Sequence, residues 1–158
     1  MRKNWGALAL TGMLCLTTFA GTQTVSAETA DSAKQVDIVF THDTHSHLNT
    51  FTTVVDDAEK EVGGFARINT LIQEQKAKNP DTLVIDGGDF SMGTLIQTVF
   101  ETQAAEIRML GYMGCDVTTL GNHEFDYRSK GLANMLNSAA ESGDDLPAMV
   151  VCNVDWES

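Results

Sequence analysis

Three short stretches of this chain carry side chains whose types and spacing could do chemistry. The first is Thr118 to Tyr127, TTLGNHEFDY, where an amide, an imidazole and two carboxylates follow a short β-branched run. Asn122 offers an amide oxygen to a hard cation, and His123 offers an imidazole to a metal or a phosphoryl oxygen. Glu124 and Asp126 are acceptors able to orient that imidazole. Taken alone, an Asn-His pair is more often part of a solvated turn. The second stretch, Asp43-Thr44-His45, sets a carboxylate and an imidazole two residues apart, and an extended backbone there would point both to the same side as a chelating pair. The third is Asp86-Gly87-Gly88-Asp89-Phe90, whose glycines let the chain turn sharply and approach a ligand closely, so that Asp89 could bridge two cations.

Those residues need a scaffold, and the apolar pattern describes one. Val36 to Thr41 (VDIVFT) reads as a buried strand, and Phe65, Ile68, Leu71, Ile72 and Gln75 follow helical spacing in a segment ending near Asn79-Pro80. Thr82 to Ile85 is a second short strand. Ile96 to Met113 carries Phe100, Ala104, Ile107 and Leu110 on one helical face, and Val117 to Leu120 is a third strand. Leu132, Met135, Leu136 and Ala139 mark another helix, Gly143-Asp144-Asp145 a turn, and Ala148 to Val154 a fourth strand. This alternation predicts an α/β fold that starts as a βαβαβ parallel sheet with right-handed crossovers and helices packed on its faces. All three chemical stretches then fall beyond the carboxyl ends of strands, the edge where open α/β sheets bind ligands. That shared placement lifts each pair above ordinary loop chemistry. The long polar connection from His42 to Gly63, with Asp56, Asp57, Glu59 and Glu61, is expected to be a solvated or substrate-facing loop.

Composition narrows the setting. The chain has 158 residues, 42% of them hydrophobic, enough for one domain with a real core. Arg2 and Lys3 before the apolar run Ala7 to Ala20, and Val25-Ser26-Ala27 before Glu28, form the pattern of a cleaved signal peptide over residues 1–27. The protein is therefore expected to be exported, to the periplasm, cell envelope or exterior. The apolar run is shorter than the roughly 20 residues a membrane span requires, so no stable span is expected. Loss of the leader removes two of the ten basic side chains and none of the 22 acids, leaving a net charge of −14. So acidic a chain is ill suited to a nucleic-acid polymer or an anionic membrane. Most of those charges serve solubility. Of the three cysteines, Cys15 leaves with the leader. Cys115 and Cys152 lie in apolar contexts without C-x-x-C spacing and are expected as buried free thiols, although an exported destination leaves a disulfide open.

HDTHSHL (His42 to Leu48), DGGDFSMGT (Asp86 to Thr94) and GNHEFDY (Gly121 to Tyr127), in this order and with strand-helix units between them, resemble the first three motifs of calcineurin-like metallophosphoesterases. Gly63-Gly64 followed by Ala66-Arg67 is similar to the exported bacterial 5′-nucleotidase branch, which includes 2′,3′-cyclic nucleotide phosphodiesterases and UDP-sugar hydrolases. GGDF also matches four letters of a cyclic-dinucleotide synthase signature, but that signature sits in a β-hairpin. The metallophosphoesterase resemblance implies the first half of a β-sandwich flanked by helices, over residues 28–158. It implies that Asp43 and His45 hold one metal, Asn122 a second, and that Asp89 bridges the two. It further implies that His123 contacts the phosphoryl oxygens or leaving group, with Asp126 positioning it. His47 matches no ligand position. A mixed oxygen and nitrogen set suits two divalent ions of Mn, Zn, Fe or Co better than Ca²⁺. The implied substrate is a nucleotide or other small phosphate ester, with no residue assigned to bind its base or sugar and no protein partner indicated.

Complete catalytic domains of this type supply further histidines, including a later G-H-x-H pair. All four histidines here, His42, His45, His47 and His123, lie in the motifs already read. The resemblance therefore implies an incomplete N-terminal part of the domain, inactive by itself. The alternative is a non-catalytic fragment holding a partial metal site.

Overall fold

The computed structural model describes residues 35–153. The leader expected at residues 1–27, with Cys15, and the end of the fourth strand at Val154 lie outside the described residues.

Four parallel strands, β1 (Ile38–Thr41), β4 (Leu83–Asp86), β5 (Val117–Thr118) and β6 (Ala148–Met149), form one sheet in the order β1-β4-β5-β6. Between β1 and β4 the chain makes an antiparallel hairpin, β2 (Phe51–Val55) and β3 (Ala58–Val62), then helix α1 (Phe65–Lys78). Helices α2 (Phe100–Gln103) and α3 (Ala105–Tyr112) join β4 to β5, and α4 (Arg128–Glu141) joins β5 to β6. Successive strands of the sheet are neighbours and parallel, each joined to the next by a helical connection, the arrangement of right-handed crossovers. The parallel sheet with helices packed against it is the α/β fold expected from the sequence. Register shows the consequence: Val39 pairs with Val84 on the covered side, whereas Ile38 and Phe40, 55% and 59% exposed, pair with Leu83 and Ile85 on the open side. An open apolar face is what the first sheet of a two-sheet sandwich presents.

The core lies between sheet and helices. Phe65 and Ile72 of α1, Phe100 of α2, Ile107 and Leu110 of α3, and Leu132 and Met135 of α4 meet Val84 there. These are the apolar positions at helical spacing in the sequence. Three local predictions need correction. The polar connection His42 to Gly63 contains the β2–β3 hairpin, whose turn residues Asp56 and Asp57 both take left-handed backbone (φ 53 and 58). Such a two-residue turn matches the twist of its strands. Nearly every hairpin side chain is solvated, so no apolar alternation marked it. Glu61 ties the hairpin to α1, accepting from Thr50 and pairing with Arg67 at 3.0 Å.

The helix expected over Ile96 to Met113 is a 3₁₀ turn (Leu95–Val99) and two short helices separated by Ala104, whose backbone is left-handed (φ 46). Cys115 and Cys152 are both free thiols, Cys115 buried as expected and Cys152 exposed instead. Burial pushes the Cys115 thiol up to about 11, so it stays protonated and inert. Among the described residues no helix is long and apolar enough to cross a membrane.

Leu110 is 1% exposed and Leu95 86% exposed. Leu110→Ala is therefore expected to cost about 2–5 kcal/mol in urea unfolding. Leu95→Ala should stay within about 0.5 kcal/mol of the parent. Equal effects would contradict this packing.

Candidate metal centre

The loops that leave β1, β4 and β5 meet at the carboxyl edge of the sheet. Asp43, His45 and Asp89 each offer one ligand atom, and those atoms lie within 4.8 Å of one another. Asp43 Oδ1 stands 3.4 Å from His45 Nε2. The backbone reason differs from the expected extended segment, because Asp43 and His45 both have left-handed backbone (φ 52 and 45). The two side chains converge because the segment is coiled and pinned along its neighbour: Asp43 N–H donates to the Gly88 carbonyl at 3.0 Å, and His45 N–H to the Asp89 carbonyl at 3.1 Å.

Each member is oriented. His45 Nδ1 lies 3.3 Å from the Ser91 carbonyl, which fixes the tautomer with a proton there and leaves the Nε2 lone pair toward Asp43. Asp89 Oδ1 accepts the His123 N–H at 2.9 Å, and Asp89 itself is left-handed (φ 54). The His42 ring bonds to Asp43 Oδ2 and holds that carboxyl below its ordinary value; the nearby charges of His42 and His45 act in the same direction. His42, to which the sequence assigned no role, thus acts on a site carboxylate. Among the described residues no Lys or Arg pairs with Asp43 or Asp89; the lysine and arginine ion pairs go to Asp56, Glu61, Asp116 and Asp144. Two carboxylates and an imidazole converging without a lysine or arginine among them are a donor set that fits a divalent cation.

His123 stands beside this cluster, its ring edge-on to that of His45 with centroids 5.1 Å apart. Its Nδ1 bonds Asp126 Oδ2 at 2.8 Å, as the spacing suggested, and this bond raises the imidazole's pKa. Asn122 immediately precedes the His123 whose N–H holds Asp89. His47 is a loop residue: it is exposed, with Nδ1 3.2 Å from the Thr44 carbonyl.

Glu124 does something other than orient the imidazole. It is fully buried, and its Oε2 accepts the N–H groups of Asp89 (3.0 Å) and Gly121 (2.6 Å). Its Oε1 accepts the N–H and hydroxyl of Ser91 at 3.0 and 2.8 Å. One carboxylate therefore joins the β4 and β5 loops. In the sequence only its place beside His123 drew notice, and nothing distinguished an outward carboxylate from an inward one.

A family model described as calcineurin-like phosphoesterase matches residues 36–154. The chain belongs to this family. Among similar proteins, a 5′-nucleotidase-related protein of Glossina morsitans morsitans is 32% identical over 91% of this chain and 26% of its own length. A 5′-nucleotidase of Mus musculus is 36% identical over 68% of this chain and 19% of its own length. The crystal structure of a 5′-nucleotidase precursor from Thermus thermophilus superposes with a TM-score of 0.64 at 31% identity, over 76% of this chain and 22% of that one. The chain thus spans about a quarter or less of the length of these relatives. Metallophosphoesterases use divalent metal ions, and Asp43, His45 and Asp89 form the candidate site for one here.

Two outcomes check this geometry. Glu124→Gln places amide hydrogens against backbone donors, and with charge-assisted bonds each contributing about 1.5–3 kcal/mol it should lower unfolding free energy by a similar amount. An unchanged urea midpoint would refute the role of Glu124. Asp126→Ala removes the bond that raises His123, so the imidazole pKa followed by NMR should fall toward its ordinary value. The sign for stability agrees: the bond favours the protonated ring, so its stabilisation is full below the unfolded pKa and fades as pH rises through the higher folded one.

Proposed function

We propose that this chain supplies the metal-holding and leaving-group side of a dinuclear phosphoesterase site that acts on nucleotides or similar small phosphate esters. The convergence of Asp43, His45 and Asp89 beside the Asp126-bonded His123 carries the reading. Asp43 and His45 would hold one ion and Asn122 a second, with Asp89 contributing to both. When bound, such ions supply a nucleophile at neutral pH and offset negative charge on the phosphoryl oxygens. His123, kept protonated to higher pH by Asp126, donates toward a phosphoryl or leaving-group oxygen. The acidic chain requires no basic patch for an anionic substrate if cations occupy the site. Export through the leader at residues 1–27 completes the reading.

A second reading rests on the donor set: among the described residues one group of three, Asp43, His45 and Asp89, lies within ligand distance, and it would hold a partial metal site without turnover.

Mn²⁺ binding followed by electron paramagnetic resonance tests the ligand roles. Asp89→Asn should weaken binding by about tenfold or more, whereas His123→Ala, which removes no ligand, should leave it nearly unchanged. Equal affinity in the parent and Asp89→Asn would sink the assignment. A metal-supplemented assay with AMP, a 2′,3′-cyclic nucleotide and an aryl phosphate separates the two readings. Turnover that disappears in Asp89→Asn supports a working site; Mn²⁺ binding without turnover supports the partial one.

A further inference from the structure

We propose that Glu106, acting through Ser46, is a positioning residue for the Asp43 and His45 ligands, an inference that rests on the metal-holding reading above. Ser46 directly follows His45, is 0% exposed, and continues the left-handed backbone (φ 55 after φ 45). Two such residues in succession persist only where their surroundings hold them. Ser46 is held through every polar group it has. Its N–H donates to the Phe90 carbonyl at 2.8 Å, and its own carbonyl accepts the Thr94 hydroxyl at 2.7 Å. Its hydroxyl donates to Glu106 Oε1 at 2.7 Å. The first two bonds tie the ligand loop to the segment after Asp89; the third ties it to the helical layer.

Glu106 is a poor choice for its position on packing grounds. It is 1% exposed, in the first turn of α3 beside the core residues Ile107 and Leu110. Its second oxygen, Oε2, has no hydrogen-bond partner among the described residues. The arginine two residues on, Arg108, is spent on Asp144 and the Gln103 carbonyl. A buried carboxylate oxygen without a partner is costly, and an apolar side chain would fill this space without that cost. The left-handed Ala104 immediately before α3 adds local strain where the chain turns to present Glu106. What the carboxylate does here is hold the Ser46 hydroxyl, and with it the register of His45 against Asp89. In metal sites, residues that orient a ligand in this way have effects on affinity that exceed their effect on the fold.

The test is Co²⁺ titration of the full chain, followed by visible absorption of the bound ion, with thermal unfolding measured in metal-free buffer. The double variant Ser46→Ala/Glu106→Met removes both partners of the buried bond, so its melting temperature should stay near the parent's. Its Co²⁺ affinity should nevertheless fall about tenfold or more. Glu106→Gln keeps an oxygen for the Ser46 hydroxyl and should stay within about threefold of the parent, while Ser46→Ala alone should lose about tenfold. A double variant that keeps both the melting temperature and the parental affinity overturns the proposal. If the double variant does not fold, the single variants decide: parental affinity in Ser46→Ala overturns it, and loss there with retention in Glu106→Gln supports it. Asp89→Asn is the separate control. Parental Co²⁺ affinity in that variant, or no Co²⁺ uptake by the parent, overturns the metal-holding reading and this inference with it.

Discussion

The architecture at the sheet edge depends on one buried carboxylate accepting backbone hydrogens from two loops. Strands β4 and β5 are registered through a single residue pair, Ile85 with Val117, too short a ladder to fix the loops that follow them. Glu124 compensates by gathering the N–H groups of Asp89, Ser91 and Gly121 around one charge. Those donors sit in loop segments without ladder partners, and leaving buried N–H groups unpaired would be costly. An acceptor with two oxygens and several lone pairs satisfies them together and sets their spacing. The left-handed residues at 43, 45, 46, 89 and 92 gather in the loops after β1 and β4, where neighbouring hydrogen bonds can hold them.

Beneath Glu124 a second carboxylate performs a related task. Asp86, at the end of β4, accepts the hydroxyls of Thr41 on β1 and Thr118 on β5 at 2.7 and 3.0 Å, and the Gly88 N–H at 3.0 Å. Burial raises its pKa despite those bonds, whereas Asp43 at the open rim is lowered by its bond with His42. The carboxylates near the site therefore divide by depth. Asp86, Glu124 and Glu106 are inward and join elements; Asp43 and Asp126 are exposed and half-buried Asp89 lies between the two sets.

That division marks how far the sequence was legible. The strands ending near residues 41, 86 and 118 were visible as short apolar runs, and their order made the meeting of Asp43, His45, Asp89 and His123 foreseeable. The orientation of Glu124 was not, because E-F-D beside a histidine has the same appearance whether the first carboxylate turns inward or outward. The hairpin at 51–62 escaped because its exposed side chains lack the one-sided apolar pattern that marks a strand. The break at Ala104 escaped because alanine favours helix intrinsically and only tertiary contacts impose its left-handed backbone. Strand order itself is a long-range property of pairing rather than of any local stretch.

The glycines show the same limit from another direction. In the sequence Gly87 and Gly88 suggested backbone turning sharply to approach a ligand, yet around the site close approaches also occur between the loops themselves. A Cβ on Gly121 would stand 2.0 Å from Asp89 Oδ1, and one on Gly93 would stand 2.2 Å from the His45 carbonyl oxygen. The His45 oxygen is backbone, and the Asp89 carboxylate is held by the His123 N–H, with the Asp89 backbone N itself 2.6 Å from the Cβ position at Gly121. Gly121 does not adopt the left-handed backbone, so its requirement is space rather than conformational freedom. The β5 loop must lie directly against the Asp89 carboxylate for the His123 N–H to reach it, and any side chain at 121 would separate the two. Gly93 likewise lets the chain after Asp89 pass over the backbone of His45. These two residues therefore set the distances between ligand-bearing loops, and the glycines flanking the motifs carry spatial information as specific as that of the histidines and carboxylates within them.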